Sequence, residues 1–260
     1  MINRNNNHLP FVQFLVSTKD SSKTINNLLI SLTEIKYKNF SILFADGDSK
    51  DETLTIINSF KDILEFSIVS KRDFGIYDAW NKLIKFSNAE WVCFIGSDDR
   101  FIPKELDEFL FNRLPIINKT EINLVSCSSK LVSNNKERFF GKSYCKEDPF
   151  KNMTIANCSS FYRNTLFSQK EFYEKLMICG DYEFLLKNRD DIKHSFSSIC
   201  ISEMGGNGLS NKKYNKVLLE TLVSLNKNKC PKHKILMYII RFYGFLLKKF
   251  LNEIFNLRSC

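Results

Sequence analysis

The sequence predicts an α/β domain with a mostly parallel central sheet flanked by helices, followed by a helical tail. Three observations carry that expectation. Strand-like apolar runs alternate with helix-periodic stretches over the first half of the chain, joined by short connections. The apolar runs end in hydroxyl or acidic residues, as strands do where a parallel sheet meets a ligand. The excess of positive charge is confined to the last fifth: residues 1–210 hold 27 Lys+Arg and 27 Asp+Glu, residues 211–260 hold 11 and 2.

Each element has a local reason. Phe11 to Val16 is a continuous apolar run that reads as a buried strand, closed by Ser17-Thr18-Lys19-Asp20. Residues 22–34 form a helix, with Ile25, Leu28, Leu29 and Leu32 at three- and four-residue steps. Phe40 to Ala45 is the second strand, ending in Asp46-Gly47-Asp48-Ser49. Leu54, Ile57 and Phe60 mark the second helix, and Phe66 to Val69 a short third strand. A helix is predicted over Ile76 to Phe86, then a fourth strand over Trp91 to Ile95, ending at Ser97-Asp98-Asp99. Pro103 sits where proline starts a helix, which runs to Leu114. Beyond 115 the pattern loosens. A strand is expected over 122–131, loops over 132–157, a helix over 181–188 and a strand over 198–204. The run Gly205-Gly206-Asn207-Gly208 then breaks regular structure.

Composition excludes several classes. Five Pro and nine Gly in 260 residues are too few for a collagen-like or linker-rich chain. The net charge of +9 does not describe a basic nucleic-acid-binding core, because the body is neutral. No two of the eight cysteines stand in a C-x-x-C spacing, so a zinc ribbon or redox pair is not supported. The N-terminus is Asn-rich without an apolar leader, and no apolar run reaches a membrane-spanning length; the expectation is a reduced, cytoplasmic protein.

Ser97-Asp98-Asp99 places adjacent carboxylates at a strand end, which suits a hard divalent cation shared with phosphates, although taken alone the pair is better read as a turn or helix cap. Other segments decide between these. Val16-Ser17-Thr18-Lys19-Asp20, Phe44-Ala45-Asp46-Gly47-Asp48-Ser49, Asp73-Phe74-Gly75-Ile76-Tyr77-Asp78-Ala79-Trp80-Asn81-Lys82 and Trp91 to Asp99 occur in this order, with Gly180-Asp181-Tyr182-Glu183-Phe184 farther on. Together they resemble the family 2 glycosyltransferases, of bacterial surface-polysaccharide type, which have the GT-A nucleotide-sugar-binding fold. The resemblance covers roughly residues 10–209.

That resemblance implies a role for each position. Thr18, Asp46 and Asp73 would contact the nucleoside, with Asp78 and Asn81 on one helix face turned toward the same cleft. Asp98 would contact ribose or metal, and Asp99 would ligate Mn²⁺ or Mg²⁺. Asp181 would be the general base, with Glu183 the less well-placed alternative. The implied reaction is an inverting, single-displacement transfer from a nucleotide sugar, with UDP the common nucleotide, to a polyprenyl-linked saccharide in surface polysaccharide synthesis. Two departures stand out. Gly47 replaces a frequent second Asp. Asn157-Cys158 stands where relatives often have His-Gln. The Gly205-Gly206 pair with Ser210 resembles the family's glycine-bearing loop near the end of the catalytic domain, which is either a phosphate-closing loop or a chain reversal.

The domain division expected is a catalytic domain over 1–209 and a basic amphipathic tail over 210–260. In the tail, Arg241, Lys248, Lys249, Asn252, Glu253 and Asn256 gather on one side of a helix otherwise aromatic and aliphatic. Such a helix suits an anionic membrane surface, placing the protein on the inner face of the cell membrane; it also suits docking on its own core. No nucleic acid is expected as a partner. Two other readings stay open. A nucleotidyltransferase is disfavoured because no Gly-rich basic loop follows the first strand. A non-catalytic nucleotide-sugar-binding or membrane-scaffold protein is disfavoured by the three acids Asp98, Asp99 and Asp181.

Overall fold

The structure, a computed structural model, describes residues 11–133, 136–144, 150, 153–205 and 213–257. The strands are β1 (Val12–Thr18), β2 (Phe40–Asp46), β3 (Phe66–Ser70), β4 (Trp91–Gly96), β5 (Arg100–Phe101), β6 (Leu124–Ser133), β7 (Lys136–Phe140), β8 (Ser160–Arg163) and β9 (His194–Gly205). The helices are α1 (Ile25–Thr33), α2 (Thr53–Ser59), α3 (Ile76–Phe86), α4 (Pro103–Glu108), α5 (Leu114–Asn118), α6 (Gly180–Lys187), α7 (Tyr214–Lys227) and α8 (Lys232–Leu257). A π-helical turn over Phe109–Arg113 joins α4 to α5. Pro115 has no N–H to continue the α ladder, and the wider turn, in which Leu114 N–H reaches Phe109 O, absorbs the break.

The sheet runs β3-β2-β1-β4-β8-β6-β9-β5, with β7 paired to β6. Its β3-β2-β1-β4 half is parallel throughout. Antiparallel pairing enters where β8 joins β4, while β6 and β9 pair in parallel.

Strand alternation sorts the core onto two faces. Val12, Phe14, Val16, Ile42, Phe44, Trp91, Cys93 and Ile95 pack with Ile25, Leu28, Leu29 and Leu32 of α1, Ile57 of α2, and Leu106, Phe109 and Leu114. The alternate residues Leu15, Leu43, Ala45, Val92 and Phe94 pack with Tyr77, Ala79, Trp80 and Leu83 of α3 and Phe184 and Leu185 of α6. Continuous apolar strands are needed because both faces are covered. The buried cysteines Cys93, Cys127 and Cys158 are free thiols inside this packing.

Several elements differ from expectation. The helix begun at Pro103 continues to Asn118 through the π turn. The stretch expected to be loop-rich contains β7, which pairs with β6 as a hairpin from Lys136 to Phe140. The segment 210–260, expected as one tail, holds two helices. In α7, Leu218, Thr221, Ser224 and Leu225 are buried and face α6, where Leu225 meets Tyr182 and Leu186. Its stripe was hidden by the Lys residues around it. Ile235 and Tyr238 of α8 join the same small core, but Leu236, Met237, Ile240, Tyr243, Phe245 and Leu247 are exposed. Side chains beyond Lys248, with the expected polar positions Lys249, Asn252, Glu253 and Asn256, lie outside the described ones. Among the described residues no helix is long and apolar enough to cross a membrane.

Candidate active site

The parallel register lines up the strand ends. Thr18 of β1 lies opposite Asp46 of β2, and Asp46 opposite Ser70 of β3. Asp46 is 1% exposed. Its carboxylate accepts from Ser49 Oγ at 2.5 Å, Ser49 N–H at 3.2 Å and Ser70 Oγ at 3.0 Å. Thr18 Oγ1 is buried beside it without a hydrogen-bond partner.

Asp73 joins this edge. Its Oδ1 accepts the Gly75 N–H at 3.2 Å, and burial raises its carboxyl above the ordinary range. A Cβ on Gly47 would lie 2.6 Å from Asp73 Oδ2. The departure noted at position 47 therefore has a packing reason: glycine admits the Asp73 carboxylate against the backbone that follows Asp46.

Gly75 opens α3 at φ 136°, a conformation that favours glycine. Asp78 then accepts the Phe74 N–H at 2.9 Å and pairs with Lys82 Nζ at 2.8 Å. Burial opposes ionisation of Asp78, but those two partners outweigh it and its carboxyl is lowered. Asn81 does not share a cleft with Asp78. Its Nδ2 donates to Phe172 O and Glu174 Oε1, and its Oδ1 accepts from Phe172 N–H at 2.9 Å. It borders a separate cleft that also includes Arg163, near the opposite, amino-terminal edge of β4. The i, i+3 spacing placed the two residues on one helix side, but the side chains serve different neighbours.

Asp98 and Asp99 follow β4. Asp99 accepts Gly96 N–H at 3.1 Å through Oδ2 and Gly205 N–H at 3.2 Å through Oδ1. A Cβ on Gly96 would stand 2.9 Å from Asp98 Oδ1 and Asp99 Oδ2; one on Gly205 would stand 2.9 Å from Asp98 O. The β5–β9 pairing sets this up, since Arg100 lies opposite Glu203 and the two form an ion pair. Burial, and next the charge of Asp98, push Asp99 up to about 7. Among the described residues no group of three or more His, Cys, Asp or Glu could hold a metal. The pair fits a divalent cation that takes further oxygens from a diphosphate: the donors are hard, and their mutual repulsion is what a cation relieves.

Asp181 starts the second position of α6 and is half-buried. Its Oδ1 accepts Tyr182 N–H at 2.8 Å and lies 3.3 Å from Tyr77 Oη. Tyr77 Oη also donates to Ile178 O at 2.7 Å. Burial raises Asp181 to about 6; the Tyr182 N–H and Tyr77 hydroxyl pull it down and Glu220 pushes it up. Tyr77 lies in the first turn of α3, which leaves the carboxyl end of β3, so Asp181 is held at the same sheet edge as the other acids. Glu183 points elsewhere: it is wholly buried and pairs with Lys227 Nζ at 3.0 Å.

Sequence reasoning missed Tyr77, Ser70 and Glu220. Glu220 is one of two acids among residues 211–260, which was the available signal. Asn157 Oδ1 accepts from Tyr162 Oη at 2.7 Å, its Nδ2 is buried and unpaired, and β8 beside it pairs with β4. The loop reading at Gly206 and Ser210 lies outside the described residues.

The family described as "Glycosyl transferase family 2" matches residues 14–175. A PGL/p-HBAD biosynthesis glycosyltransferase from Mycobacterium bovis is 24% identical over 181 residues, covering 68% of this chain and 69% of that protein. The Escherichia coli UDP-Glc:alpha-D-GlcNAc-diphosphoundecaprenol beta-1,3-glucosyltransferase WfgD is 22% identical over 147 residues, 56% of each chain. Staphylococcus aureus TarS 1-349 in complex with UDP-GlcNAc superposes with a TM-score of 0.67 at 20% identity, covering 90% of this chain and 73% of that one. The Pyrobaculum calidifontis mannosyltransferase PcManGT, in complex with GDP-Man and Mn²⁺, gives 0.64 at 14% identity, covering 85% and 64%. These likenesses show the GT-A fold.

Proposed function

Because this chain belongs to glycosyl transferase family 2, we propose that it transfers a sugar from a UDP-sugar to a hydroxyl of a lipid-linked saccharide, with inversion, in one displacement. The observation that carries the reading is the carboxylate of Asp181. It is anchored at a helix start by Tyr182 N–H and Tyr77, and at about 6 it is ionised at neutral pH. A base of that kind accepts the acceptor's hydroxyl proton as the oxygen attacks the anomeric carbon. A complex of TarS with UDP-GlcNAc supports a UDP-sugar donor, and the name of WfgD supports a diphosphoundecaprenol-linked acceptor.

In this reading Asp46 and Asp73 bind the nucleoside, with Thr18 Oγ1 offering a hydroxyl beside them. Asp78 keeps the Asp73–Gly75 turn closed through the Phe74 N–H, and Asn81 anchors the 172–174 segment behind it. Asp98 and Asp99 would hold Mn²⁺ or Mg²⁺, and the Mn²⁺ in PcManGT supports a divalent ion. When bound, the cation neutralises the leaving diphosphate. Gly96 and Gly205 keep Asp99 oriented through their N–H groups.

The catalytic domain over 1–209 and the tail over 210–260 remain our division by role, although α7 packs on α6. The exposed Leu236, Met237, Ile240, Tyr243, Phe245 and Leu247 of α8, with Lys234, Arg241 and Lys248, support peripheral binding to an anionic membrane that carries the acceptor.

A panel of UDP- and GDP-sugars with Mn²⁺ or Mg²⁺, scored by nucleotide release and thermal stabilisation, tests the reading. A UDP-sugar response that needs the ion is expected. Silence toward every donor would favour a non-catalytic protein.

A further inference from the structure

Resting on the reading of Asp181 as base, we infer that Glu220 is a positioning residue for it: a carboxylate on α7 that pins three consecutive backbone amides immediately before the helix that carries Asp181. Nothing in the family's matched span, residues 14–175, includes either residue.

The geometry is specific. Glu220 is 6% exposed. Its Oε1 accepts Met177 N–H at 3.0 Å, and its Oε2 accepts Ile178 N–H at 2.8 Å and Cys179 N–H at 3.0 Å. Gly180 and Asp181 follow directly in the chain. Successive amides converging on an anion form a nest, and hydrogen bonds to a charged acceptor are about twice as strong as neutral ones. A buried carboxylate without such partners would be costly. Among the described residues the only cation ion-paired to it, Lys216, is 4.0 Å away, so the amides are its principal partners.

The same turn is held from its other side. Tyr77 Oη, on α3, donates to Ile178 O at 2.7 Å and lies 3.3 Å from Asp181. The Ile178 N–H is therefore fixed by α7 while its carbonyl is fixed by α3. Cys179 adds Sγ contacts to Val217 O at 3.7 Å and Thr221 Oγ1 at 3.6 Å. Gly180 completes the clamp, because a Cβ there would meet the Tyr77 ring at 2.6 Å. Glu220 itself is set by a well-packed helix, in which Leu218, Thr221, Ser224 and Leu225 are buried. The start of α6 has no side-chain cap of its own. Its position is dictated by these two flanking helices.

A misplacement of about 1 Å costs a reaction roughly 10²-fold. In this reading the donor contacts lie on other elements, beyond the ends of β1, β2, β3 and β4, so loss of Glu220 should spare them. Glu220→Gln keeps size but replaces one acceptor oxygen by a donor, leaving at least one of the three amides unpaired. Glu220→Asp keeps the charge on a shorter stem.

The test compares the full-length wild type with Glu220→Gln, Glu220→Asp, Asp181→Asn and the Asp181→Asn/Glu220→Gln double variant. Readouts are UDP release from UDP-GlcNAc and UDP-Glc with Mn²⁺, UDP affinity, and hydrogen exchange at residues 177–179. For Glu220→Gln we expect faster exchange at these amides, kcat lower by about 10- to 100-fold, and KM for the donor and UDP affinity within about twofold. Glu220→Asp should recover part of the loss. The double variant should be no slower than Asp181→Asn alone, since Glu220 acts through that residue. Unchanged exchange at 177–179, or full kcat in Glu220→Gln while Asp181→Asn is inactive, overturns the positioning role. A double variant slower than Asp181→Asn overturns action through Asp181. Full activity in Asp181→Asn removes the base assignment, and this inference with it, even where the amides loosen as expected.

Discussion

Gly47 and Asp73 lie 26 positions apart in the chain, yet a Cβ at 47 would sit 2.6 Å from Asp73 Oδ2. This close approach brings the Asp73 carboxylate beside the backbone that follows Asp46. The clashing atom is the end of a side chain, so Gly47→Ala should displace Asp73 at a stability cost within about 1.5 kcal/mol. UDP affinity should fall by about tenfold, roughly 1.4 kcal/mol, with kcat less affected. Calorimetric titration of UDP, beside a thermal melt, checks both parts.

Gly180→Ala meets a different obstacle. Its Cβ would strike three atoms of the buried Tyr77 ring at 2.6 to 2.8 Å. A ring packed against Trp80 and Phe172 cannot swing aside as a carboxylate does. A loss of about 1–3 kcal/mol is expected, seen as a lower midpoint in urea, together with a reduced kcat because Asp181 is displaced. Wild-type stability and rate would contradict the packing described.

The raised carboxyl of Asp181 sets the pH dependence. At about 6 it is protonated below that pH and cannot accept a proton, so log kcat should fall by about one per pH unit below 6 and level off above it. Tyr77, Cys179, Tyr182 and Glu220 face it; the change read here is that of Asp181. Stability moves the other way. A carboxyl raised in the folded state favours folding most below its unfolded value of 3.8, and that contribution is lost as pH rises through about 6. The contribution is on the order of 3 kcal/mol. Asp181→Asn should flatten both profiles in a rate-and-melt titration from pH 5 to 8.

Divalent ions should stabilise the protein through Asp98 and Asp99. With UDP present, Mn²⁺ at about 100 times its Kd adds about 2.7 kcal/mol, visible as a melting shift of several degrees. Asp99→Asn should abolish the shift and keep the fold, since the two N–H groups from Gly96 and Gly205 still meet an amide oxygen in part. A full shift in the variant would move the ion elsewhere.

The exposed face of α8 predicts vesicle binding. Leu236→Asp with Ile240→Asp removes two residues that are each 58% exposed, so the melting midpoint should hold. Co-sedimentation with anionic vesicles should drop several-fold, and equal sedimentation would favour a role in self-docking.

Much of this was legible from short-range pattern. Buried strands followed by acids placed Asp46 and Asp98-Asp99 at sheet ends, because a parallel register aligns whatever follows each strand. The i, i+3 spacing of Asp78 and Asn81 misled, since a shared helix side does not say which neighbour each side chain meets. The Lys-rich stretch at 211–234 hid α7, whose stripe of Leu218, Thr221, Ser224 and Leu225 is partly hydroxylic.

Local pattern along the chain specified the alternation of strands and helices, the order of strand-end acids and the family resemblance, because each depends on periodicity or on residues near one another in the chain. Only the tertiary structure decided that Gly205 N–H meets Asp99 across 106 positions, that Tyr77 stands beside Asp181 across 104, and that Glu220 holds the turn before it. Those relations come from helices and strands packing at distances that no local pattern encodes.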